Sequence, residues 1–90
     1  MCLKTKTIVF VAGAITAVCV TQNGTLLLVD RKTKTVFEYR MTSDRYRFSP
    51  LSKFGQETLT DPLDCVQMKD GRVAVTDGKD GHSVKVCAVH

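Results

Sequence analysis

The stretch TQNGTLLLVD, residues 21–30, sets the reading of the whole chain. A turn dipeptide, Asn23-Gly24, opens onto an aliphatic run that ends at Asp30. The phrase returns as MKDGRVAVTD, residues 68–77, where Asp70-Gly71 opens onto Val73-Ala74-Val75 and Asp77 closes the run. Asn-Gly and Asp-Gly are strong hairpin signals, because a type I′ turn needs positive φ at both central residues and these residue types tolerate it. Residues 15–21 are therefore expected to pair with 25–30, and 63–68 with 72–77. Asp30 and Asp77 end the second strand of each hairpin. A short carboxylate there can accept hydrogen bonds from N–H groups of the next turn.

The repeat extends beyond the phrase. Gly24 and Gly71 are 47 residues apart, as are Asp30 and Asp77. Upstream, ITAVCV aligns with PLDCVQ; downstream, Val36 and Val84 head third strands, TVFEY and SVKVC, with one extra residue in the second loop. RYRFSPLSKF (45–54) supplies an outer fourth strand to the first unit, and Pro50 suits an edge strand. TKTIVFVA (5–12) reads as the fourth-strand remnant of a preceding unit. No window holds a helical stripe. A period near 47 built of strand, turn, strand, loop, strand is one blade of a β-propeller. The expected fold is all-β: a partial β-propeller of about two four-stranded antiparallel blades, the second incomplete. Residues 1–14 form an N-terminal strand remnant, 15–61 the first blade and 62–90 the second. Closed propellers have about four to eight blades, so further blades or self-assembly are needed to close one.

The amino terminus has a second reading. Lys4 and Lys6 precede an apolar run from Ile8 to about Val20, with small residues at Ala12, Ala14 and Ala17, as in a secretory signal. The run is too short and too interrupted, by Gly13 and Thr16, for a membrane span. The β-branched Ile8, Val9, Val11, Ile15, Val18 and Val20 favour two strands instead. The strand reading implies a cytoplasmic chain, the signal reading a small secreted β domain. Cys2, Cys19, Cys65 and Cys87 form no CxxC pair, and they read as reduced small hydrophobes rather than a disulfide framework.

At the repeated phrase the chain resembles the NHL-repeat β-propellers found at the carboxyl end of many TRIM-type proteins. VCVTQNGTLLLVDRKTKTVFEY and LDCVQMKDGRVAVTDGKDGHSVKVC follow the family's order: apolar strand, D/N-G turn, aliphatic strand ending in Asp, polar loop, apolar strand. LTDPLDCV resembles its lead-in, with Pro62 in place; the first unit has Ile15 there instead. Arg31-Lys32 stand where the family usually has small or Asn residues. The resemblance runs from Ile15 to Val89 and implies a non-enzymatic scaffold that binds protein or single-stranded RNA. The RING, B-box and coiled coil of the TRIM-type proteins have no counterpart here, so ubiquitin-ligase chemistry is not implied.

Charge and topology select the candidate face. Net charge is +4, but residues 31–53 carry Arg31, Lys32, Lys34, Arg40, Arg45, Arg47 and Lys53 against Glu38 and Asp44. In an up-and-down blade the second loop and the blade-to-blade connector share a face. That places Arg31, Lys32 and Lys34 with Lys79, Asp80 and His82 and with residues 55–62. Asn23-Gly24 and Asp70-Gly71 lie on the opposite face. A basic face suits an RNA backbone, yet those loops hold no aromatic for base stacking. A protein partner is therefore the leading expectation, with RNA the alternative and no membrane partner. Interleaved Tyr39, Arg40, Arg45, Tyr46, Arg47, Phe48 and Phe54 read as aromatics inward and arginines outward on strands. DGKDGH (77–82) lacks the carboxylate spacing of a calcium loop. His82 and His90 have no ligand-spaced partners, and no nucleophile or phosphate-loop motif is present. No catalytic residue, metal or cofactor is expected. Asn23-Gly24-Thr25 is a glycosylation sequon by letter, though a tight turn explains Asn23 without it.

Overall fold

A computed structural model describes residues 14–41, 48–78 and 83–88. The described residues form seven strands and no helix. β1 (Ile15–Val20), β2 (Leu26–Asp30), β3 (Thr35–Met41) and β4 (Phe48–Phe54) make one antiparallel sheet in sequence order. β5 (Pro62–Gln67), β6 (Val73–Asp77) and β7 (Ser83–Cys87) make a second, also in sequence order. The all-β reading holds, and both expected hairpins form. Pro50 lies in β4, the outer strand, where its missing N–H leaves no gap in a central ladder. The readings placed on residues 1–13, 42–47, 79–82 and 89–90 lie outside the described residues.

The repeat is written in hydrogen bonds as well as letters. Gly24 N–H donates to Thr21 O, and Gly71 N–H to Met68 O, both at 3.0 Å. Thr21 N–H donates to Thr25 O, and Met68 N–H to Arg72 O. At the other end Arg31 N–H donates to Ala14 O, and Gly78 N–H to Asp61 O. Each pair is related by the same 47-residue shift. Both first hairpins also carry a bulge at the shifted position, Ile15/Ala17 and Pro62/Asp64.

The turns differ from the type I′ geometry expected from Asn-Gly and Asp-Gly. Gly24 (φ 79°) and Gly71 (φ 93°) are left-handed, whereas the only non-glycine with positive φ among the described residues is Lys34. Each hairpin therefore uses a four-residue turn that ends in a left-handed glycine, a three-residue loop with a glycine bulge. The physical reason is the register: Thr21 faces Thr25 across three loop residues rather than two.

The core lies between the sheets. Leu27, Val29 and Val36 of the first sheet cluster with Cys65, Val73 and Val75 of the second and with Leu59 of the connector. Ala17, Cys19, Phe54 and Cys87 pack around them. Fully burying one such side chain contributes about 1.5–3 kcal/mol. β1 and β2 both lie against β5.

Register shows which faces meet. Residues opposite one another in a ladder share a face. In the first sheet Ala17 opposes Val29, Cys19 opposes Leu27, and Val29 opposes Val36, so these line its inner face. In the second, Cys65 opposes Val75, and Val73 opposes Cys87. A 47-residue shift carries Cys65 onto Val18 and Val75 onto Leu28. Those belong to the outer face of the first sheet. The repeated units therefore pack front to back, with non-equivalent faces in contact.

Candidate binding rim

Asp30 organises one end of the first sheet. Its buried carboxylate accepts from Ala14 N–H at 2.9 Å, Lys32 N–H at 3.0 Å and Thr33 N–H at 3.3 Å. One oxygen thus joins the residue that precedes β1 to the loop 31–34, and the Thr35 hydroxyl donates to Thr33 O at 2.9 Å. Burial pushes the Asp30 carboxyl up, but the N–H groups of Ala14, Thr33 and Lys32 outweigh it and hold the acid below its ordinary range. The turn-stabilising role expected of Asp30 is present, with the Ala14 contact added.

Asp77 occupies the same place 47 residues on. It is fully buried and accepts from Thr60 N–H and the Thr60 hydroxyl, both at 2.9 Å, from Asp61 N–H, and from Lys85 Nζ at 2.8 Å. Burial again pushes the carboxyl up, and the Lys85 ammonium with the Thr60 and Asp61 N–H groups drives it far below the usual carboxylate range. The described donors come from the preceding connector and from β7 rather than from the following turn.

Arg31 and Asp61 close the rim across the two sheets. The Arg31 guanidinium meets both Asp61 oxygens, through Nε to Oδ1 and Nη2 to Oδ2 at 3.2 Å. Arg31, Lys32, Lys34, Ala14, Thr60 and Asp61 line an open depression of ≈ 660 Å³. Arg31, Lys32 and Lys34 are all exposed. The loop and the connector share one face, as the sequence implies. Lys79 and His82, the other residues assigned to this face, lie outside the described residues. Lys34 holds φ 58°, a conformation in which glycine or asparagine is less costly than lysine.

The opposite end carries the turns. Gln22 N–H donates to Gln67 Oε1 at 2.7 Å, and Gln22 Nε2 to Lys69 O at 3.2 Å. The Asn23-Gly24 and Asp70-Gly71 turns are thereby tied together. Among the aromatic and basic positions, Tyr39 is half-buried beside exposed Arg40, and Phe48 and Phe54 are half-buried. Cys19, Cys65 and Cys87 are free thiols in or beside the core. Burial and the Cys19 contact push the Cys65 thiol up to about 12, so it is a poor nucleophile.

The Arg31–Asp61 pair has no local sequence signal, because its partners stand 30 residues apart. No helix among the described residues is long and apolar enough to cross a membrane. The described residues hold no cluster of three or more ligating side chains that could bind a metal. Comparison with protein-family models, curated proteins and solved structures finds no match for the chain.

Proposed function

We propose that this chain is a non-enzymatic binding scaffold: two consecutive blades of a propeller-type array whose rim engages an acidic segment of a protein partner. The observation that carries this reading is the front-to-back packing of two sheets related by a constant 47-residue shift. Front-to-back contacts between repeats are heterologous, the type that builds rings and open arrays. The hydrogen bonds of Asp30, Asp77 and Arg31 brace the loop ends at one rim, as a preorganised docking surface requires.

The rim chemistry favours protein over RNA. Asp61 neutralises Arg31 and places a carboxylate in the depression, while Lys32 and Lys34 keep their charges at its edge. The lining residues include no aromatic on which a base would stack. Panning a displayed peptide library on the chain is expected to recover acidic peptides. Their binding should fall at least about tenfold in a K32E/K34E variant, the loss of two charge contacts. The fold should be unaffected, since surface substitutions shift stability by only about 0.5 kcal/mol. Peptides that bind the variant equally well would reject the rim. Salt-steep binding of single-stranded RNA, lost in the same variant, would replace protein with RNA as the partner.

A further inference from the structure

The second sheet has an outer face whose described residues include exposed valines. Val66, Val84 and Val86 are 60%, 62% and 48% exposed. Register puts Val66 and Val86 on either side of Ala74, and Val84 beside Thr76, so all share that face. Two adjoining hollows of ≈ 220 and ≈ 190 Å³ run across it, sharing Thr76 and Val84. Small Ala74 helps line the larger hollow. Contiguous exposed valines over a groove are a contact surface rather than scattered surface residues.

The repeat specifies what fits there. Shifted by 47, Val66 falls on Cys19, Ala74 on Leu27 and Thr76 on Val29. With the extra loop residue, Val84 falls on Val36. Those four line the inner face of the first sheet, which is already covered by the face bearing Cys65 and Val75. The residues equivalent to Cys65 and Val75 are Val18 and Leu28. They lie on the outer face of the first sheet, where Val18 and Val20 are 56% and 66% exposed and Leu28 is buried within its own chain. Exposed valines thus stand at complementary positions of the repeat, Val18 and Val20 on one sheet and Val66, Val84 and Val86 on the other.

We propose that the outer face of the second sheet binds a second copy of this chain through the outer face of that copy's first sheet. The contact repeats the packing inside each chain: Val18 of one copy meets Val66 of the next, as Cys65 meets Cys19 within a chain at 3.4 Å. It is heterologous and leaves the same two faces free at the ends, so copies add head to tail. This rests on the array reading above and names the partner of a surface distinct from the rim.

Light scattering on the wild-type chain is expected to give a mass above the 9.9 kDa of one copy. V66D should return it to one copy that still unfolds cooperatively, at a midpoint independent of concentration, because a charge buried at the contact opposes assembly and Val66 is exposed within the chain. Mixing V18C and V66C variants under oxidised glutathione should give a V18C–V66C linked pair, identified by peptide mapping. A single-copy mass at every concentration overturns the proposal, and so does a dimer linked only through V66C to V66C. A Cys19–Cys65 link within one chain tests the array reading itself. If it forms while assembly fails, only the second-copy contact falls.

Discussion

At the scale of single residues, two buried aspartates brace the loop ends at the rim. Asp77 gathers donors from Thr60 and Asp61 of the connector and from Lys85 of β7. Its folded carboxyl is far more acidic than an unfolded one, near 3.9. Stability from this group is therefore full above about pH 4 and is lost as pH falls below it. Asp30 adds the same sign of dependence, since its carboxyl is also held low. Asp77→Asn should cost about 3 kcal/mol near neutral pH, because Lys85 loses the anion it faces. The variant should also unfold less steeply with acid than the wild type. Urea melts across the acid range check both; an unchanged acid limb would show that Asp77 is not the titrating group.

At the scale of elements, the hairpins follow from local chemistry and the turns from register. Asn-Gly and Asp-Gly between alternating apolar residues were enough to locate β1–β2 and β5–β6, because both signals act within a few residues. The type of turn was not legible, since it depends on which residues face each other across the loop. The observed geometry makes a sharp distinction. Within the first turn Gly24 is left-handed and Asn23 is not, and open space lies where a Gly24 Cβ would sit, so Gly24→Ala meets backbone strain alone. That substitution should cost roughly 1–2 kcal/mol, while Asn23→Ala should stay within about 0.5 kcal/mol. A type I′ turn would make both costly. Chemical denaturation of the two variants separates the geometries. The rim was legible in part: loop topology placed Arg31, Lys32 and Lys34 beside the connector. The Arg31–Asp61 pair that decides its charge was not, because it joins residues brought together only by the packing of the sheets.

At the scale of the whole molecule, the sequence could not say which face of each sheet is buried. In the second unit Cys65 and Val75 alternate with equally apolar Val66 and Val84, so periodicity alone leaves both faces eligible. The first sheet breaks the tie by covering one of them. Front-to-back packing of repeats supports both the scaffold reading and the second-copy contact, and Cys19 and Cys65 report on it directly. Their sulfurs lie 3.4 Å apart across the two sheets, within reach of a 2.05 Å bond after small side-chain adjustment. The decisive measurement is peptide mapping of the chain after mild oxidation with oxidised glutathione. Exchange should begin at Cys19, the less buried thiol, and the bond should pass to Cys65 within one chain, slowly because the Cys65 thiol is held up, but still in preference to pairs involving Cys87. A mixture of pairings, with no excess of Cys19–Cys65, would contradict the inter-sheet packing from which the rest of the account is built.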